Sequence, residues 1–165
     1  MAEGLTKKEW IGRTIFWRTY FVTLLFVSVN MVKWALAVIV GGYGIWDGFK
    51  DVFEYFSIED YLFVSGLRLI PYVLLALAVR FIGKADAAKA GMAWLSLLTI
   101  TGFHAWGYWM WQYNYYGGEH VSSTTSLDFI FMPFFAVYYG LIAGAIGWVL
   151  GYIYSRFIKP TFHQS

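Results

Sequence analysis

Asn30, Lys33, Arg68, Tyr72, His104, Tyr108 and Asp128 are the residues of this chain whose types and positions suggest chemistry. All but Asp128 fall inside long apolar runs, and Asp128 opens the last of those runs. A Lys or Arg at the centre of a membrane costs about 2.5–3.5 kcal/mol on the insertion scale, so Lys33 and Arg68 need a reason to be where they are. Arg68 lies about seven residues into its run, ~10 Å at the helical rise, within snorkelling reach of outer headgroups. Lys33 shares helical spacing with Thr19, Thr23 and Asn30. Ser65, Arg68 and Tyr72 form a comparable stripe, and Thr101, His104, Tyr108 and Trp111 a third. If these stripes face one another, they make an outward-opening polar pocket with two fixed positive charges. Asp128 is then the nearest counter-ion, with Asp60 and Glu119 as others.

Such a pocket suits an anion, a lipid headgroup or a quinone-like molecule. The plainer reading is that an acid neutralises Arg68 or Lys33 and the cluster only sets helix register. His104 is the sole histidine within a predicted span. A b-type haem and a metal site both need further ligands, so a hydrogen-bonded structural role suits it better. The aromatic run Trp106 to Tyr116 reads as an interfacial belt, or as the wall of a ligand cavity. No G-x-S-x-G, H-E-x-x-H or Gly-Lys-Ser/Thr pattern occurs. With no cysteine, thiolate catalysis, disulfides and Fe–S clusters are excluded.

The elements that must position these residues are apolar helices. Of 165 residues, 59% are hydrophobic and only 13% charged, against about 25% charged in a soluble domain. The stretch Asp128 to Ile158 carries no charge between Phe129 and Ser155, more than the ~20 residues a span needs. Along it Ala136, Gly140, Gly144, Gly147 and Gly151 recur at helical spacing. Small residues let helix backbones approach, so this face is expected to pack against a neighbouring helix or a second copy.

The expected fold is an all-α integral membrane protein, a four-transmembrane-helix bundle in one domain covering 1–165. Its spans are expected at about 19–41, 61–82, 91–113 and 129–155. A short N-terminal interfacial helix precedes them, opened by the capping box Thr6-Lys7-Lys8-Glu9. Ile45 to Phe56 puts Ile45, Trp46, Phe49, Val52, Phe53 and Phe56 on one helical face and Asp47, Lys50, Asp51 and Glu54 on the other. That is an amphipathic helix lying in the interface or folded over the bundle as a lid. Pro71 and Pro133 are expected to bend their helices.

The positive charges agree with this plan. Lys7, Lys8, Arg13, Arg18, Arg80, Lys84, Lys89, Arg156 and Lys159 fall on one side. Asp47, Asp51, Glu54, Glu59, Asp60, Glu119 and Asp128 fall on the other, with Lys50 as their only Lys or Arg companion. The positive-inside rule then places both termini in the cytoplasm. No cleavable signal peptide is evident, so the first span stays as an anchor. The last half, with its Ser/Thr-rich loop and Gly-rich helix, is generally similar to small bacterial membrane proteins. That similarity implies a bacterial inner membrane and assigns no residue role.

These features predict a small non-enzymatic binding or accessory subunit. Its expected partners are the bilayer and a homo-oligomer or membrane complex, with no nucleic acid. Transport of a small anion attracted by Lys33 and Arg68 is the first alternative. An enzyme acting on a lipid or quinone through His104 is the second.

Overall fold

The computed structural model describes residues 7–54, 57–81, 86–117 and 125–158, and within them every regular element is helical. The helices are α1 (Lys7–Phe26), α2 (Val29–Ile39), α3 (Ile45–Phe53), α4 (Ile58–Phe81), α5 (Ala87–Gly117) and α6 (Thr125–Ile153). One wider π turn, Tyr154–Ile158, follows α6. Two stretches are long and apolar enough to cross a membrane, Tyr61–Phe81 and Ile130–Phe157. A third arises if α1 and α2 count as one broken span, bent by 68° between Gly12–Phe26 and Val29–Ile39.

That bend corrects the first predicted span. The stretch 19–41 is not one straight helix, and the expected interfacial helix is not separate from it. α1 runs without interruption from Lys7 to Phe26 and stops at Val27-Ser28. Ser28 is extended, at φ −115° and ψ 159°, and its hydroxyl accepts from the Met31 N–H at 3.3 Å. It therefore caps a new helix in a new direction. Thr19 and Thr23 belong to one arm, Asn30 and Lys33 to the other, so the stripe that joined them does not exist. The capping residue Thr6 lies outside the described residues.

α2 ends in a turn in which the Tyr43 N–H reaches back to the Ala37 carbonyl at 3.1 Å. Gly42 sits at φ +70°, where a side chain would be strained. The chain then folds α3 back onto α2. Gly48 is buried against Val38 and Ala37. The Trp34 indole N–H donates to the Ile45 carbonyl at 2.9 Å. Val52 is buried, while Ile45 and Trp46 remain exposed despite sharing its predicted face.

α5 lies at the centre and packs against α1, α2, α4 and α6. It has 31 residues, ~46 Å at the helical rise, and Asp86 caps it by accepting from the Lys89 N–H at 2.7 Å. α5 is less apolar than α4 or α6 because His104, Gln112, Ser96 and several glycines interrupt it. Those polar groups are buried against its neighbours. Leu98, Gly102, Trp106 and Met110 make its exposed strip, spaced four residues apart.

The α5–α6 contact is the most extensive in the molecule. The small residues of α6 line it. Ala136 and Gly140 are buried, and the Ser96 hydroxyl donates to the Gly140 carbonyl at 2.9 Å. A Cβ on Gly144 would come within 2.5 Å of Ser96 Oγ. At Gly147 and Gly151 the neighbours are the backbones of Gly91 and Ala87. Close backbone approach of this kind replaces the hydrophobic driving force that lipid cannot supply. The opposite face of α6 exposes Phe134, Phe135, Tyr138, Leu141, Trp148 and Val149.

Candidate functional site

Three helices converge on the core that holds the polar side chains. Phe16 and Tyr20 of α1, Tyr72 and Leu75 of α4, and Ala93, Leu97 and Ile100 of α5 form one buried cluster. The Tyr20 hydroxyl donates to the Tyr72 carbonyl at 3.0 Å, and their rings meet edge-on at 5.7 Å. The Tyr72 hydroxyl then pairs with Thr101 Oγ1 at 3.2 Å. This chain of bonds ties α1 to α4 and α4 to α5 at one level.

Arg68 precedes Tyr72 by one helical turn and is only 5% exposed. Its Nη1 donates to the Val27 carbonyl at 2.5 Å, a contact between residues 41 apart in sequence. Val27 is the residue at which α1 has just ended. The last carbonyls of a helix have no intrahelical donor and carry the negative end of its dipole. A buried guanidinium answers both needs, so the charge of Arg68 is spent on the break in the first span. The snorkelling expected for Arg68 does not occur. The side chain turns toward α1 instead of toward headgroups.

His104 is fully buried, at 0% exposure, on the inner face of α5. Its Nδ1 lies 2.8 Å from the Ile100 carbonyl. A carbonyl only accepts, so Nδ1 carries the proton. The ring stands between Tyr72 and Tyr108, with centroids at 6.0 and 5.6 Å. Tyr108 is 1% exposed. Arg68 is near enough for its charge to act on Tyr72, His104 and Tyr108 alike. Among the described residues, two buried atoms in this group have no hydrogen-bond partner, Arg68 Nε and His104 Nε2.

The structure thus brings together Arg68, Tyr72, His104 and Tyr108. Asn30 and Lys33 are half-buried on α2, beyond the break. Asp128 falls in the first turn of α6, and its side chain lies outside the described residues, as do Ser65 and Glu119. Among the described residues, no group of three His, Asp or Glu side chains is placed to hold a metal ion.

Sequence reasoning missed Tyr20, Ser28, Ser96 and Gln112, all buried. Ser28 had a readable signal: a capping residue two positions before Asn30, within an otherwise apolar run. Ser96 had one in its small size on a helix that meets glycines. Tyr20 and Gln112 were hidden among aromatic neighbours that favour interfaces as readily as cores.

Fold and site together define an all-helical protein with helices suited to crossing a membrane and a polar cluster enclosed among them. Comparison with family models, curated proteins and solved structures finds no match for this chain.

Proposed function

We propose that this chain is a small multi-pass membrane protein of the binding or accessory kind, holding an amphiphilic ligand against Arg68, Tyr72, His104 and Tyr108. One observation carries the reading. Four polar side chains lie together, none more than 5% exposed, inside a bundle whose outer faces are apolar. An ionisable residue enclosed in that way marks a functional site by default. The commitment of Arg68 to the Val27 carbonyl counts against a mobile-anion route, because that donor is already used. The glycine face of α6 is filled by α5, so self-association would use the exposed Phe134, Phe135 and Tyr138 instead.

In this reading the chain crosses a bacterial inner membrane four times with both termini cytoplasmic. α1 and α2 together make the first, bent crossing. α5 makes the third, its polar residues screened from lipid by the helices around it. The acidic Asp47, Asp51 and Glu54 after α2 and the basic Lys7, Lys8 and Arg13 early in α1 support opposite sides for the two ends of that bent pair.

The natural absence of cysteine makes the topology easy to test. A membrane-impermeant maleimide added to intact cells should label Lys50→Cys and should label Lys84→Cys only after permeabilisation. Equal labelling of both positions from outside would overturn the four-crossing plan. For the ligand, native mass spectrometry from mild detergent should find a co-purifying amphiphile on the wild type. It should be lost in His104→Phe and kept in Trp106→Phe, a control at an exposed position of the same helix. A protein stripped of any amphiphile under all mild conditions would remove the binding reading.

A further inference from the structure

We infer that Arg68 Nε and His104 Nε2 form a paired site for a hydroxyl group, which donates its proton to the imidazole and accepts from the guanidinium. This deepens the proposed function and rests on it for the location of the site.

Arg68 offers its donors in a fixed planar fork. Nη1 is directed to the Val27 carbonyl, and Nε–H is buried with no partner among the described residues. Nε–H can only donate. His104 Nδ1 gives its proton to the Ile100 carbonyl. A ring with 0% exposure among apolar helices is least costly in its neutral form, and Nε2 then presents a lone pair. That lone pair can only accept. The two orphan atoms are therefore complementary in kind, one donor and one acceptor.

A simple anion satisfies the guanidinium and repels the lone pair. A carbonyl oxygen does the same. A metal cation suits the lone pair and is repelled by Arg68. A hydroxyl satisfies both, because its oxygen accepts while its proton is donated. Leaving either atom unpaired costs about 1–3 kcal/mol, and more for the charged group. The rings of Tyr72 and Tyr108 flank the imidazole at 6.0 and 5.6 Å, so the guest's surroundings are aromatic beyond the polar pair. The hydroxyl can come from a single water or from the head of a phenol or alcohol with an apolar tail. The two sources share the chemistry and differ in how they exchange.

The test uses the unmodified protein in phospholipid nanodiscs, labelled with ¹⁵N-histidine. His104 Nε2 is followed before and after addition of para-decylphenol, or of para-decylanisole, its methyl ether without an O–H. A lone pair that accepts a hydrogen bond moves the Nε2 resonance upfield. If the source is an amphiphile, the phenol shifts Nε2 and saturates at a single equivalent, while the anisole does nothing. If the source is water, Nε2 is already shifted in plain lipid, shows through-space exchange with water protons, and ignores both probes. Either result supports the hydroxyl site, and the second at the same time counts against an amphiphile as the protein's ligand. An Nε2 lone pair unshifted in every sample, or a ring that carries protons on both nitrogens, would overturn the inference. In Arg68→Lys, which keeps the charge and loses the planar Nε–H, the phenol-induced or water-induced shift should fall at least tenfold in occupancy. An unchanged occupancy there would remove Arg68 from the site.

Discussion

Gly147→Leu is expected to unfold the α5–α6 pair, whereas Gly102→Leu is expected to leave the protein intact. At Gly147 a Cβ would fall on the carbonyl group of Gly91, and Gly91 stands in the same relation to Gly147. These are backbone atoms, so no rotamer change can make room. The helices must separate along their whole contact, and the Ser96 to Gly140 bond at 2.9 Å is drawn apart with them. Overpacking a well-filled core costs about 1–3 kcal/mol when side chains can yield. With backbone on both sides the upper figure is the appropriate one, about two orders of magnitude in the folded fraction at 1.4 kcal/mol per tenfold. Gly102 is exposed on the outer strip of α5, and a Cβ there meets nothing within 4 Å. The measurement is the monodisperse fraction after heating in detergent, followed by size exclusion. Gly140→Ala should fall between the two, since its Cβ would meet the side chain of Ile100 at 2.8 Å and that side chain can move. Equal stability of Gly147→Leu and Gly102→Leu would show that the glycine face is not a packing surface.

Arg68→Met should straighten the first pair of helices. The break at Val27-Ser28 leaves α1 with terminal carbonyls that hydrocarbon cannot solvate, each costing several kcal/mol if unpaired. Arg68 supplies a donor to the Val27 carbonyl from another helix. Without it, a continuous helix that pairs those carbonyls internally becomes the better alternative. Net stability should change little. The lost charge-assisted bond costs about 1.5–3 kcal/mol. Removing the buried charge returns a similar amount, about 2.5–3.5 kcal/mol on the insertion scale. Geometry is therefore the informative readout. Spin labels at Gly12→Cys and Ile39→Cys, both exposed, report the bend in a chain with no other cysteine. Arms of ~22 and ~16 Å meeting at the observed 68° put those backbone positions ~32 Å apart, against ~40 Å for a straight helix. Arg68→Met should move the distance toward the longer value. An unchanged distance would mean that Ser28 and the packing of α2 on α3 and α5 hold the break without help.

Both predictions draw on parts of the molecule that the sequence reveals unequally. The glycine face was readable because it is periodic. Gly140, Gly144, Gly147 and Gly151 recur at helical spacing in a run with no charge, and only one side of a helix can receive them. Their neighbour was not readable, because a small residue says that something comes close and not what. The inward positions of His104 and Tyr108 were likewise legible, as a polar stripe on an otherwise apolar helix. Lys33 was not, since its stripe assumed that the helix continued through residue 28.

Composition and periodicity alone determined that this chain is helical and that much of its surface is apolar. Those properties are sums and repeats along the chain, and each residue contributes without knowing its distant neighbours. The break at Val27-Ser28 is of another kind. No glycine or proline marks it, and the segment by itself is a sound helix. At it a guanidinium 41 residues away donates to the Val27 carbonyl, and Ser28 caps the helix that follows. The central place of α5 was decided in the same way. Its polar groups are costly in lipid and acceptable only where α1, α2, α4 and α6 cover them, which is a property of the assembled bundle and of no segment within it.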